Sequence, residues 1–167
     1  WNRQPISEHP FTSVSQGPTM IEKIEPINIL LMEDSEGDVR LVQEALKEGK
    51  LHNRLFVVRD GVEGMDFLQK RGKYQDATCP DLILLDLNMP KKDGREVLGE
   101  IKQHEDLKRI PVVILTTSSS EADILKTYNL HANCYIVKPL NLDEFIRVVR
   151  SIESFWLSIV KLPTGEK

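Results

Sequence analysis

The chain has 167 residues, of which 40% are hydrophobic and 29% charged, and its formal net charge is -4. This length suits one ordinary domain with its own core and excludes two full domains. The slightly acidic balance argues against nucleic acid as a direct partner, and no apolar run approaches the about 20 residues that cross a bilayer. We therefore expect a cytoplasmic protein that binds neither nucleic acid nor a membrane.

The predicted elements alternate between strands and helices from Pro26 onwards. Residues 1–25 are predicted to form a flexible N-terminal tail, residues 26–160 one α/β domain with an extended C-terminal helix, and residues 161–167 a second tail. Short apolar runs predict strands near residues 27–32, 54–59, 82–86, 111–116 and 134–137. Because the strand starts recur every 23 to 29 residues, successive βα units and a parallel sheet with helices on both faces are expected.

Local signals mark two of the helices. Asp60-Gly61 ends the second strand and predicts a helix that runs to about Arg71. The segment from Ser118 to Glu121 offers several capping hydroxyls followed by an acid, so the next helix after the fourth strand is predicted to begin there.

Polar side chains follow four of the strands, at the point where each strand ends. They are Glu33-Asp34, Asp86, Thr116 and Lys138. The carboxyl ends of parallel strands share one edge of a sheet, so these side chains are predicted to converge in one crevice. Crowded carboxylates repel each other, and a hard cation such as Mg²⁺ relieves that repulsion with oxygen ligands. The pattern therefore predicts phosphoryl transfer to a carboxylate.

The metal would be held by acids from two strand ends. Asp34 and Asp86 are expected to bind Mg²⁺ directly, and Glu33 directly or through water. Asn88 lies where the chain turns before a proline, so its backbone carbonyl is the fourth predicted ligand.

The reacting group in this prediction is the Asp86 carboxylate. A carboxylate that takes up a phosphoryl group forms a covalent acyl phosphate. Lys138 is predicted to pair with Asp86 and then with a phosphoryl oxygen, while the Thr116 hydroxyl binds another oxygen.

These motifs, in this order, resemble the receiver domain of two-component response regulators over about residues 26–152. They read Leu-Met-Glu33-Asp34, Leu-Leu-Asp86-Leu-Asn88-Met-Pro90 with Asp93-Gly94, Leu-Thr116-Thr117, and Tyr135-Ile-Val-Lys138-Pro139. The resemblance implies a doubly wound five-stranded parallel sheet of flavodoxin-like type and Mg²⁺-dependent phosphorylation of Asp86 by a sensor histidine kinase, followed by slow self-dephosphorylation. It also implies a cis peptide between Lys138 and Pro139.

Two residues match the signalling switch of receivers. In that family the threonine after the fourth strand moves towards the phosphoryl group, and an aromatic residue on the fifth strand fills the vacated space. Thr116 and Tyr135 stand at those positions. Thr117, where many receivers carry alanine or glycine, is expected to narrow the approach to Asp86 and to slow small phosphodonors.

An apolar stripe continues along the last predicted helix. Its members are Leu142, Phe145, Val149, Ile152, Trp156 and Ile159. The stripe and the aromatic pair Phe155-Trp156 predict a homodimer whose interface includes Phe145, Ile152, Phe155 and Trp156. Alternatively, Phe155 and Trp156 fold back onto the core of the domain itself.

A narrower resemblance concerns the kinase partner. The segments Arg40-Leu-Val-Gln-Glu-Ala-Leu, Leu-Leu-Asp86-Leu-Asn-Met-Pro-Lys-Lys-Asp-Gly-Arg-Glu-Val-Leu and Ile-Glu-Ser-Phe-Trp-Leu resemble the small single-domain regulators paired with bacterial phytochromes. A phytochrome histidine kinase is the partner that this implies.

Two other functions remain open on the sequence alone. A Mg²⁺-dependent aspartyl phosphohydrolase also uses an aspartate nucleophile, but it usually carries a second acid two residues later, where this chain has Asn88. The third possibility is a receiver-like scaffold that acts without phosphorylation.

Overall fold

The computed structural model describes residues 25–49 and 51–163. Its five parallel strands form one sheet in the order β2-β1-β3-β4-β5, which confirms the predicted doubly wound receiver fold. The strands are β1 (Ile27–Met32), β2 (Asn53–Val58), β3 (Leu82–Leu85), β4 (Val112–Thr116) and β5 (Cys134–Val137). The predicted tails at residues 1–25 and 161–167 lie largely outside the described residues.

Helices cover both faces of this sheet. They are α1 (Glu36–Lys47), α2 (Gly61–Leu68), α3 (Gly94–Gln103), α4 (Glu121–Asn129) and α5 (Leu142–Ile152). Ile29 and Leu31 of β1 belong to the core cluster that contains α1 and α5, whereas Leu30 and Met32 belong to the cluster with α2 and α3. This alternation explains why the central strands are continuous apolar runs, since both of their faces are buried.

Helix α2 ends earlier than the sequence predicts. It stops at Leu68 rather than near Arg71, and a short 3₁₀ helix (Gly72–Tyr74) follows. Lys70 has φ 53° and Gly72 has φ 56°. These left-handed conformations cannot continue a right-handed helix, so the chain turns there.

The C-terminal extension of α5 is helical but of a wider type. After Ile152 the chain forms a π-helical segment (Glu153–Ile159), in which the amide of Val160 still bonds to the carbonyl of Phe155. Trp156 and Leu157 pack against the same core cluster as α5, while Phe155 remains 50% exposed. The chain therefore continues past Ile152 as a π-helical segment rather than as further turns of α-helix.

Two residues of the predicted dimer interface belong to the core of the chain itself. Phe145 and Ile152 are only 3% and 6% exposed, because α5 turns this face towards the sheet and α1. They cannot offer contact area to a partner in this conformation. The predicted alternative applies to Trp156, whose indole packs on the core, but not to Phe155.

The π-helical segment is attached to the connection between α1 and β2. The buried carboxylate of Glu153 accepts a hydrogen bond from the amide of Leu51 at 3.4 Å, and Arg150 pairs with Glu48. A side chain at Gly49 would collide with the Glu153 carboxylate, so any other residue there would force the end of that side chain to move.

The described peptide bonds are all trans, including the bond between Lys138 and Pro139, so the expected cis peptide is wrong. Trans is the preferred isomer even before proline, by about 0.5–1 kcal/mol. Within the described ranges, no helix is both long enough and apolar enough to cross a membrane.

Candidate acidic metal site

The strand register places Glu33 and Asp86 side by side. Met32 of β1 pairs with Leu85 of β3, and each acid is the next residue of its strand. The amide of Asp86 donates to the carbonyl of Met32 at 3.0 Å, which extends the ladder by one residue. Glu33 and Asp86 are only 2% and 5% exposed. Two carboxylates are therefore buried next to each other at the carboxyl edge of the sheet.

Asp34 completes a cluster of three carboxylates. One oxygen each from Glu33, Asp34 and Asp86 lies within 4.8 Å of the others, and Asp34 is exposed to solvent. Three carboxylate oxygens, with room for water on the exposed side, suit a hard divalent cation. The residues present therefore fit a metal site of this type, and the predicted ligands Glu33, Asp34 and Asp86 are brought together.

The ammonium group of Lys138 lies among the acids of this edge. Its Nζ is 2.5 Å from Glu33 Oε2, 2.8 Å from Asp38 Oδ2 and 3.1 Å from Asp86 Oδ2. Burial lowers the pKa of Lys138, but the hydrogen bonds to Asp38 and Glu33 outweigh it and leave the pKa above its ordinary value. The lysine therefore stays charged at neutral pH.

Burial has the opposite consequence for Glu33. It raises the pKa of that carboxyl to about 7, although Lys138 partly offsets the rise. A bound divalent cation would favour the ionised form, as Lys138 does.

Local hydrogen bonds orient the Asp86 carboxylate. Oδ1 accepts from the amide of Asn88 at 3.1 Å, while Oδ2 faces Lys138. Gly94 begins α3 against the backbone of Asp86 and Leu87, where a side chain would collide with the Asp86 carbonyl. The structure thus brings Asn88 next to Asp86, and the role of its carbonyl as a metal ligand stays a prediction.

Thr116 is the last residue of β4, and Tyr135 is the second residue of the neighbouring strand β5. Thr116 is completely buried, its carbonyl accepts from the amide of Lys138 at 2.7 Å, and its hydroxyl faces the amide of Ser118 at 3.5 Å. The Tyr135 hydroxyl donates to the Ser118 carbonyl at 2.9 Å. Thr116 therefore lies beside Lys138 at the carboxyl edge of the sheet. Its coupling to Tyr135 stays a prediction.

Sequence reasoning missed one charged residue of the site, Asp38. It lies in the first turn of α1, and 100 positions separate it from its partner Lys138. The only sequence signal was the spacing Ser35-Glu-Gly-Asp38, which matches a capping box and suggests a purely local role.

A second missed feature is a polar network beside the site. Arg95 binds Asp93 and Asp123, and the Ser118 hydroxyl donates to Asp123 at 2.6 Å. The hydroxyls near Ser118 are predicted to cap α4, but the N-cap residue Ser120 makes no side-chain capping bond, and the Ser118 hydroxyl bonds to Asp123 in the first turn. Nothing in the local sequence marks Arg95 for this contact.

Comparison with known proteins agrees with the geometry. The family model described as the response regulator receiver domain matches residues 29–150. Response regulator Rcp1 of Synechocystis sp. is 56% identical over 144 residues, which are 86% of this chain and 98% of the relative.

Two solved structures are similar over nearly the same part of the chain. The Mn²⁺-bound form of response regulator Rcp1 has a TM-score of 0.81 and 57% identity, and covers 83% of this chain and 100% of its own. The phosphorylated cyanobacterial phytochrome response regulator RcpA has a TM-score of 0.82 and 53% identity, with 84% and 100% covered.

Proposed function

The chain belongs to the response regulator receiver domain family of phosphoacceptor signalling proteins, and we propose that a sensor histidine kinase phosphorylates it on Asp86. The observation that carries this proposal is the position of Asp86, which belongs to the acidic cluster and also contacts the Lys138 ammonium. Family membership favours a phosphoacceptor over the aspartyl phosphohydrolase and over a scaffold that needs no phosphorylation.

The proposed step is a transfer between two nucleophiles. The N–P bond of a kinase phosphohistidine breaks as an O–P bond to an Asp86 carboxylate oxygen forms. The Lys138 ammonium offsets the negative charge of the phosphoryl oxygens, and the Thr116 hydroxyl donates a hydrogen bond to one of them. Glu33, Asp34 and Asp86, with the Asn88 carbonyl, would hold Mg²⁺, which neutralises phosphoryl charge when it is bound.

The first test uses beryllofluoride, a stable mimic of an aspartyl phosphoryl group, with Mg²⁺. Fluorine NMR of the wild-type protein is expected to show a bound signal, and Asp86→Asn is expected to lose it. A folded wild-type protein without a bound signal would contradict phosphorylation at Asp86 and favour the scaffold.

A phytochrome-type histidine kinase is the proposed partner. The similarity to RcpA, which is described as a phytochrome response regulator, supports this proposal together with the receiver membership. Transfer of label from an autophosphorylated phytochrome kinase should be at least tenfold faster than from a histidine kinase of another sensor class. Equal rates would contradict the pairing.

A homodimer is proposed through the π-helical segment. Phe155 is half exposed and stacks edge-to-face on Trp156 at 5.6 Å between ring centroids, and Ile159 beside them is also exposed. Aromatic residues of this kind dominate interfaces.

The site chemistry, with a kinase as phosphodonor, is proposed to operate in the cytoplasm.

Sedimentation tests this interface. Phe155→Ala is expected to lower the dimer fraction, whereas Leu140→Ala, which truncates an exposed leucine before α5, is expected to leave it unchanged. A monomeric wild-type protein, or equal effects of the two substitutions, would contradict the interface.

A further inference from the structure

Asp38 brings a fourth carboxylate to the site from an element that the strand ends do not supply. It lies in the first turn of α1, and its Oδ2 accepts from Lys138 Nζ at 2.8 Å. The metal cluster consists of Glu33, Asp34 and Asp86. Asp38 therefore contacts the lysine without being one of the clustered carboxylates.

The capping geometry of α1 leaves the Asp38 carboxylate free for this contact. In a capping box the acid at this position accepts from the amide of the N-cap residue. Here the amide of Ser35 donates to Glu33 Oε1 at 3.0 Å, and the amide of Asp38 donates to Ser35 Oγ at 3.3 Å. Glu33 therefore accepts the hydrogen bond from the N-cap amide that the acid of a capping box usually accepts. The Asp38 carboxylate accepts from Lys138 instead.

The other two carboxylates that contact Lys138 each have a second role. Glu33 and Asp86 both belong to the metal cluster, and Asp86 is the proposed phosphoacceptor. A carboxylate that binds a cation or carries a phosphoryl group attracts an ammonium less strongly, since its charge is shared. Asp38 is the partner of Lys138 whose charge is not divided in this way.

We propose that Asp38 is a positioning residue, which holds the Lys138 ammonium where it meets a phosphoryl oxygen while Glu33 and Asp86 bind the metal and the phosphoryl group. This inference rests on the proposed phosphorylation of Asp86. It also makes the first turn of α1 part of the site, because Asp38 links that helix to the end of β5.

A matched pair of substitutions isolates this role. Asp38→Asn removes the negative charge that pairs with Lys138, while Glu36→Gln removes an equal charge from the same helical turn, where Glu36 pairs with Arg40 in solvent. Both variants lose a similar helix-dipole contribution, and only the first loses the ion pair with Lys138. Asp38→Glu keeps the charge and serves as the conservative variant.

Two affinities should be measured for each variant: Mg²⁺ alone by calorimetry, and beryllofluoride at saturating Mg²⁺ by fluorine NMR. Asp38→Asn is expected to weaken beryllofluoride binding about tenfold, as the loss of a hydrogen bond between charged groups predicts. Mg²⁺ affinity should fall equally in Asp38→Asn and Glu36→Gln, by about twofold at most. Asp38→Glu should recover most of the beryllofluoride affinity.

Three results would overturn the inference. These are unchanged beryllofluoride affinity in Asp38→Asn, an equal loss in Glu36→Gln, or a loss of Mg²⁺ affinity as large as the loss for beryllofluoride. The last result would make Asp38 part of the metal site. If the wild-type protein itself fails to bind beryllofluoride, the proposed phosphorylation of Asp86 fails first.

Discussion

Helices α3 and α4 lie next to each other on one face of the sheet, but they are attached to it in different ways. Val97, Leu98 and Ile101 of α3 are completely buried. Helix α4 is described in full and buries only Thr127, whose hydroxyl bonds back to carbonyls of its own helix. Helix α3, which follows β3 and Asp86, is thus fixed by apolar packing, whereas α4 is not.

The strands show the same contrast. Every residue of β3 is buried, whereas β5, all four residues of which are described, buries none. Asp86 therefore follows a densely packed strand, and Tyr135 lies on a loosely packed one. A densely packed strand beside a loosely packed one is an arrangement in which a local charge change of a few kcal/mol can shift the loosely packed side.

Polar contacts take the place of apolar packing on the α4 side. Arg95 of α3 binds both oxygens of Asp123 on α4 at 2.8 and 2.6 Å, and the Ser118 hydroxyl donates to the same carboxylate. The Tyr135 hydroxyl donates to the Ser118 carbonyl and connects β5 to this network. The network connects α4 and β5 to α3 through ionised and polar side chains. The strength of these contacts therefore depends on pH and on nearby charge.

The sharpest test of the contrast is one substitution made on both helices. Leu98→Ala on α3 removes a completely buried side chain, and a loss of about 2–5 kcal/mol in the free energy of unfolding is expected. Leu125→Ala on α4 truncates a side chain that is 65% exposed, so a change within about 0.5 kcal/mol is expected. Urea unfolding followed by circular dichroism measures both.

The pair also provides its own control, because the two changes are chemically identical. A loss above about 2 kcal/mol in Leu125→Ala would mean that α4 packs as tightly as α3. The contrast between the two sides would then be wrong.

The Arg95 network should give the α4 side an acid-dependent stability. Hydrogen bonds from Arg95 and Ser118 lower the pKa of Asp123 to about 2. Because the folded pKa lies below the unfolded one, this carboxylate stabilises the fold above pH of about 4, and the contribution is lost as pH falls towards 2. Partial solvent exposure limits the contribution to about 1 kcal/mol.

Asp123→Asn should therefore lower the free energy of unfolding by about 1 kcal/mol at pH 7, and the difference from wild type should shrink below pH 4. Asp143→Asn, on the exposed first turn of α5, is the control and should change little. A difference for Asp123→Asn that stays constant from pH 7 to pH 3 would show that the ion pair is not its source.

Tyr135→Phe tests the contact that joins β5 to the network. The hydroxyl loses its bond to the Ser118 carbonyl, so a fall of about 0.5–1 kcal/mol in the free energy of unfolding is expected. The ring also loses the hydrogen bond that holds it at the Ser118 carbonyl, and beryllofluoride affinity should rise about threefold. Tyr128→Phe, on the exposed side of α4, should change neither quantity. Weaker beryllofluoride binding in Tyr135→Phe would mean that the hydroxyl stabilises the phosphorylated conformation instead.

The sheet and the acidic cluster could be predicted because each depends on a simple pattern. Apolar runs indicate buried strands, and parallel topology then brings Glu33 and Asp86 to one edge whatever the details of packing. Asp38 could not be found in this way, because its contact with Lys138 depends on how α1 is rotated against a residue 100 positions away.

The same limit applies at the C-terminus. The apolar stripe correctly indicated a helical continuation after Ile152, but only the wider π-helical turn decides that Trp156 packs on the core and Phe155 faces outwards. Spacing along the chain does not predict that turn, because π-helical turns are rare and mostly occur inside α-helices.

The smallest expected effect concerns Thr117, which lies at the junction between the two sides, directly after the buried Thr116. Its side chain is exposed, so Thr117→Ala should leave the free energy of unfolding within about 0.5 kcal/mol of wild type. Any change in phosphorylation rate would then reflect access to Asp86 rather than stability. We expect acetyl phosphate to react about twofold faster with the variant, because the methyl and hydroxyl groups of Thr117 no longer narrow its path to Asp86. Phosphoprotein formation measures this rate. Ser119→Ala, two residues further from β4, is the control, and an equal acceleration there, or none in Thr117→Ala, would mean that access to the acceptor is set by the packed side alone.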